Sequence, residues 1–222
     1  MRGLFVTGTD TGVGKSVVAA AICAGLAARG LRVAAFKPVV TGLDDPPGEW
    51  PPDHELLASV TGQEPSAVAP WRFGPPASPH LAAELDGTVL EPSELLAAAR
   101  RAGADADALV CEGVGGLMVP ITPGYLVRDF ALDMRMPLVV AARPGLGTIN
   151  HTLLTLEAAR AAGLEPVAVV MTPWPPEPSR VEESNRETVG RLGSVPVAAL
   201  PECTPASLSE AAASLPMADW LS

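Results

Sequence analysis

Six runs rich in valine, leucine and alanine divide the chain: Leu4–Val6, Leu31–Lys37, Ala108–Glu112, Pro137–Ala142, Pro166–Met171 and Val195–Leu200. Their apolar character is close to continuous rather than alternating, as in strands buried on both faces of a sheet. The segments between them repeat alanine and leucine at helical spacing. That spacing predicts helices over Ser16–Ala28, Asp53–Val60, Pro79–Leu85, Ser93–Arg101, Leu126–Met134, Asn150–Ala161 and Arg180–Leu192. Strand and helix in alternation call for parallel pairing with right-handed crossovers. The pattern therefore predicts one α/β domain over residues 1–222, a mainly parallel sheet with helices on both faces. Prolines gather at 44–52, 65–79 and 173–178, which read as surface loops rather than interdomain linkers. Residues Ser207 to Ser222 read as a short helix that packs on the body or frays. Ligands of open sheets bind beyond the carboxyl ends of the strands, so chemistry is sought there.

The first strand end supplies it. Leu4–Val6 leads into Gly8-Thr9-Asp10-Thr11-Gly12-Val13-Gly14-Lys15-Ser16, and an alanine-rich helical run follows from Val17 to Ala28. Strand, glycine-rich turn and helix closing on Gly-Lys-Ser form the setting of a phosphate-binding P-loop. Glycines let backbone N–H groups curl around phosphates, the helix N-terminus adds partial positive charge, the lysine reaches the outer oxygens and the hydroxyl faces Mg²⁺. Five residues separate Gly8 from Gly14, one more than in the usual pattern. The expected fold is P-loop NTPase-like, and a nucleoside triphosphate with Mg²⁺ is its expected ligand.

Lys15 and Lys37 are the two lysines of the chain, and the other thirteen basic residues are arginines. Each lysine closes an apolar run, so a compact point charge is reserved for two strand ends. Pro38 disfavours helical backbone at Lys37 and keeps that strand extended into the crevice. Glu112 ends another strand beside Gly113-Val114-Gly115-Gly116, where it is either a magnesium ligand or a strand-end carboxylate bonded locally. Asp53 precedes Glu55-Leu56-Leu57 as an N-cap, a metal ligand or both. With Ser16 these two offer hard oxygen donors that water and phosphate would complete. Thr11 and Thr41 bring hydroxyls on facing loops. Gly145-Leu146-Gly147-Thr148-Ile149-Asn150-His151 enters a helix and leaves N–H groups suited to a carboxylate, or is an ordinary helix start.

A formal charge of −10 and a pI near 4.7 exclude a broad nucleic-acid footprint. Hydrophobic residues make up 48% of the chain, yet the longest apolar run, Val17 to Ala28, is too short to span a bilayer. With no signal peptide read ahead of the first strand, a cytoplasmic protein without a membrane partner is expected. Cys23, Cys111 and Cys203 lie far apart in apolar settings and are expected to be reduced core residues, neither disulfides nor zinc ligands. His54, His80 and His151 lack a nucleophile signature nearby, so no triad hydrolase is read.

Together, the loop from Gly8 to Ser16, Lys37-Pro38-Val39, Glu112-Gly113-Val114-Gly115-Gly116 and Gly147-Thr148-Ile149-Asn150-His151 closely resemble the dethiobiotin synthetase family, across roughly residues 1 to 200. The longer P-loop is itself typical of that family. The resemblance implies an ATP- and Mg²⁺-dependent ring closure in biotin synthesis that joins 7,8-diaminononanoate and CO₂ through a carbamate and a carbamic–phosphoric anhydride. It implies that Lys15, Lys37 and Thr11 act on the reacting groups, and that Ser16, Asp53 and Glu112 hold Mg²⁺. Gly12, Val13, Gly14, Lys15, Ser16 and Val17 would bind the nucleotide phosphates, with Thr172 and Pro201 nearer the base. Thr41, Gly115, Gly116 and Leu117 would border the diamine. Its carboxylate tail would reach Leu146, Thr148 and Asn150 of a neighbouring subunit, which makes a homodimer the expected assembly. An amidoligase of the cobyrinic-acid type and a P-loop switch of the partitioning or metal-insertion kind share the core. The first usually carries an amidotransferase domain. The second typically has a further lysine early in the loop, where this chain reads Thr9-Asp10-Thr11.

Two positions depart from the family pattern. Ser16 replaces the more frequent threonine and keeps the hydroxyl. Thr172-Pro173-Trp174 stands where an Asn-Asp pair often reads adenine, and neither threonine nor proline offers an amide's paired donor and acceptor. Weak discrimination of the base is therefore expected. Comparable kcat/KM values for ATP, CTP and GTP should be measured, and a preference for ATP above roughly a hundredfold, about 2.7 kcal/mol, would reject this reading.

Overall fold

The structure is a computed structural model that describes residues 2–46 and 48–221. Pro47, inside the first proline-rich connection, and Ser222, at the end of the predicted tail helix, lie outside the described residues along with Met1. All six predicted strands form and join one sheet: β1 (Gly3–Gly8), β2 (Val33–Phe36), β3 (Ala108–Gly116), β4 (Leu138–Ala142), β5 (Pro166–Trp174) and β6 (Val197–Pro201), in the order β6-β5-β4-β1-β3-β2. Every pairing is parallel, as the continuous apolar runs require. The seven predicted helices are α1 (Lys15–Ala27), α2 (Asp53–Thr61), α3 (Pro79–Asp86), α4 (Pro92–Ala102), α5 (Val127–Met134), α6 (Thr148–Ala161) and α7 (Arg180–Gly193).

Several ends move for local reasons. Leu31 is taken out of β2 because its N–H bonds back to Leu26 O as the chain leaves α1. Val195 is likewise held by Gly190 O, so β6 starts later than its apolar run. The helix expected from Asn150 begins at Thr148, behind Gly147, whose φ of 91° few other residues adopt.

Successive side chains of β1 point to opposite faces, which divides the core in two. Leu4 and Val6 pack with Ile22 and Leu26 of α1, while Phe5 packs on the other side against Phe130 of α5. The Phe5 and Phe130 rings meet edge to face, with centroids 6.0 Å apart. Short elements without a sequence signature complete the fold. A two-residue parallel pair joins Val39–Val40 to Trp71–Arg72, and a small hairpin joins Pro120–Thr122 to Tyr125–Leu126. Cys23 and Cys111 are buried free thiols and Cys203 is a half-buried one. No helix among the described residues is long and apolar enough to cross a membrane.

The tail differs from the single helix expected. It folds as short helical turns at Pro205–Ser207, Leu208–Ala211, Ala212–Ser214 and Met217–Trp220, with Pro216 breaking the path before the last. Leu208, Met217 and Trp220 are buried in the same core as α1. A Cβ on Gly25 would come within 2.5 Å of Met217 Cε, so the close approach requires glycine there. Met217→Ala is therefore expected to cost about 2–5 kcal/mol in urea unfolding, the range for a fully buried methionine, and a loss below about 0.5 kcal/mol would show that the tail frays.

Candidate active site

The loop between β1 and α1 is shaped for an anion. Gly12 and Gly14 take φ of 68° and 91°, and a Cβ on Gly14 would meet Thr172 Cγ2 at 2.6 Å. No side chain caps α1, and among the described residues no backbone partner engages the N–H groups of Gly12, Val13 and Gly14. Such free donors at a helix start favour negative charge. Lys15 lies back along the loop with Nζ donating to Asp10 O at 2.9 Å. Burial, and then the charge of Lys37, pull its pKa below the ordinary lysine value.

Three elements bring the remaining charges together. Lys37 follows β2 and is 2% exposed. Its Nζ donates to Glu112 Oε1 at 2.6 Å and to Asp53 Oδ2 at 2.8 Å. Glu112 sits in β3 opposite Val6 of β1 and is fully buried. Ser16 Oγ donates to the same Oε1 at 2.8 Å. Burial pushes the Glu112 carboxyl up, and Lys37 offsets this only in part. Burial alone would lower Lys37, but Asp53 and Glu112 together carry it above the usual lysine value. Asp53 is not the N-cap: Pro52 takes that position, and Asp53 opens α2, where its charge suits the helix dipole.

A cleft of about 690 Å³ opens over this cluster, lined by Thr11, Gly12, Gly14, Lys15, Ser16, Val17, Lys37, Thr41, Asp53 and Gly115 among others. Other expected residues lie outside its lining. The Val13 and Leu117 side chains are in the core, and Gly116 pairs with Gly8 in the sheet. Thr172 is buried behind Gly14, and Pro201 is exposed at the end of β6. Leu146, 98% exposed, and the exposed Asn150 stand at the start of α6, where Thr148 is buried with Oγ1 3.3 Å from Thr152 Oγ1. None of these three lines the cleft of its own chain. The sequence reading missed an apolar wall of Trp50, Pro76, Pro79, Val114 and Val119. Its signal was the length of the proline-rich connections, since long loops in compact domains tend to be functional.

The donor set fits Mg²⁺. Ser16, Asp53 and Glu112 are hard oxygen donors, and Glu112 Oε2 is buried without a hydrogen-bond partner. Among the described residues no group of three or more His, Cys, Asp or Glu could hold a metal, so a Mg²⁺ ion at these donors would need further oxygens from phosphate and water.

Burial raises the Asp53 carboxyl, but the ammonium of Lys37 outweighs it and holds the pKa at about 2, below the ordinary 3.8. A depressed carboxyl stabilises the fold above its unfolded pKa and loses that contribution as the pH falls through the folded one. Solvent screens the effect, because 43% of the side chain is exposed. Asp53→Asn is expected to lower stability at neutral pH by about 1 kcal/mol and to flatten the loss of stability between about pH 4 and pH 2. Urea midpoints measured across that range check both, and an unaltered acid limb would remove the ion pair from the account.

A family model described as an AAA domain matches residues 2–206. An ATP-dependent dethiobiotin synthetase from Anaeromyxobacter dehalogenans is 42% identical over 90% of this chain and 90% of its own. One from Anoxybacillus flavithermus is 35% identical over 89% of this chain and 90% of its own. Among solved structures, a ParA family ATPase from Chlorobium tepidum aligns with a TM-score of 0.57 at 13% identity, covering 96% of this chain and 88% of that one. Chloroplast FtsY from Physcomitrella patens aligns at 0.52 and 15% identity, over 95% of this chain and 64% of that one. These two likenesses concern the fold. Identity of this extent along nine-tenths of both chains places the protein in the ATP-dependent dethiobiotin synthetase family.

Proposed function

We propose that this chain, as a single domain paired with a second copy in the cytoplasm, closes the ureido ring of dethiobiotin from 7,8-diaminononanoate and CO₂, driven by ATP. The observation that carries the reading is the delivery of two ammonium groups, Lys15 and Lys37, to one cleft beside Ser16 and Asp53. One amine of the diamine adds to CO₂ and loses a proton to give a carbamate. A carbamate oxygen attacks the γ-phosphorus and ADP departs. The second amine then attacks the carbonyl carbon, expels phosphate and loses its proton as the ring closes. Negative charge builds on oxygen at each stage, so fixed cations supply most of the catalysis.

In this scheme Lys15 and the free N–H groups of Gly12, Val13 and Gly14 hold the phosphates, with Val17 behind them. Lys37 meets the carbamate and the transferred phosphoryl group, and Thr11 and Thr41 donate hydrogen bonds across the cleft. Ser16, Asp53 and Glu112 would hold Mg²⁺, which when bound would neutralise charge at the phosphates. The wall of Pro76, Val114 and Val119 suits the methylene chain of the diamine, with Gly115 at its border; Gly116 and Leu117 follow it in the chain behind that wall. The start of α6 from a second copy, with Leu146, Thr148 and Asn150, receives the carboxylate, a role supported by the exposure of Leu146 and Asn150. Thr172 and Pro201 lie toward the base.

Incubation with diaminononanoate, bicarbonate, Mg²⁺ and ATP is expected to give the cyclic urea and one phosphate for each ring closed. Phosphate release that ignores the diamine would instead favour a nucleotide switch. In the same assay Lys37→Ala should lower kcat at least about tenfold with a modest change in nucleotide affinity, and an unaltered kcat would remove Lys37 from the chemistry.

A further inference from the structure

Arg143 follows β4 and makes an interaction that the reading above leaves unused. Its Nη2 and Nε both donate to Gly12 O, at 2.8 and 3.3 Å, although the two residues stand 131 positions apart. The guanidinium is exposed, so burial does not force the contact. The segment that presents it is fixed from behind. The buried Asn185 of α7 donates through Nδ2 to Pro144 O at 2.8 Å and to Gly145 O at 3.1 Å. Pro144 also favours extended backbone at Arg143. The arginine is thus held between the end of β4 and α7, and it grips a glycine whose φ of 68° lies in the region that favours glycine.

The position of that grip matters because a trans peptide carries its C=O and N–H on opposite sides. Gly12 lines the cleft and Arg143 does not. With Gly12 O held by the guanidinium, the N–H of Val13, which has no backbone partner among the described residues, is turned to the opposite side of that peptide. Released, the Gly12–Val13 peptide can rotate, and a phosphate oxygen would meet a carbonyl in place of a donor.

The geometry points to Arg143 as a positioning residue for the nucleotide: by holding Gly12 O it fixes the orientation of the P-loop peptide whose N–H receives the triphosphate. The inference rests on the proposed function only in taking a triphosphate as the ligand of this loop. It asks for a donor to the carbonyl rather than a positive charge near the phosphates, and that distinction can be measured.

Titration calorimetry with ATP and Mg²⁺ on the wild type, Arg143→Gln and Arg143→Ala separates the cases. Loss of a charged hydrogen-bond donor in Arg143→Ala is expected to weaken ATP binding about tenfold. Arg143→Gln, which keeps a neutral donor for Gly12 O, should recover most of that affinity. KM for the diamine and the thermal midpoint of the ligand-free protein should stay near wild type in both. Binding in Arg143→Ala equal to wild type would overturn the proposal. So would equal losses in both variants, which would make the residue a direct charge on the phosphates. A fall in affinity that tracks a fall in thermal midpoint would reduce it to a structural contact. A wild-type protein that binds no triphosphate would refute the proposed function itself, and the role of Arg143 with it.

Discussion

A single ammonium group between two carboxylates organises this molecule. Lys37 ties the end of β2, the start of α2 and the middle of β3 at one point, through contacts of 2.6 and 2.8 Å. Glu112 has no exposed surface, and an isolated carboxylate in that position would be driven to neutralise. Breaking such a buried pair from one side typically costs about 3–5 kcal/mol, because the surviving charge is left without compensation. The ion pair therefore explains how a functional charge persists at the base of a hydrophobic sheet. The strand order brings its members together, since β3 lies between β1 and β2 and so Ser16, Glu112 and Lys37 meet.

Around that point the chain divides its work by chemical type. Backbone donors of the P-loop are left without protein partners, two amines and two carboxylates set the local charge, and irregular connections provide apolar surface. Rigid parts carry the charges and loops carry the wall, which fits the different tolerances of the two tasks. Arg143 and Asn185 extend the rigid part outward by locking one loop to another through carbonyl oxygens.

The parts of this design that were legible in the sequence are those with a periodic or compositional signature. Strands buried on both faces leave unbroken apolar runs, so all six were visible. Lys15 and Lys37 stood out because the remaining basic residues are arginine, and Glu112 because glycines follow it, although the strand expected to end at Glu112 continues through them to Gly116. The two-residue strands at Val39–Val40 and Trp71–Arg72 leave no pattern, and they shape the cleft through tertiary contacts alone. Asp53 read as a helix cap, a metal ligand or both; the cap position belongs to Pro52, and the carboxylate meets Lys37, a partner that local sequence does not reveal. Trp50 and Val119 stayed hidden for the same reason, since their place in the wall depends on where loops come to rest.

The turns from Leu208 to Trp220 seal the outer face of α1, the helix that opens with Lys15. The helix ends at Ala27 and its cover begins only at Leu208. During synthesis the apolar side of that helix leaves the ribosome long before its lid exists, and contacts so distant along the chain form slowly. Until the segment from Leu208 to Trp220 has been made, the apolar side of the helix that begins at Lys15 therefore stays without its cover.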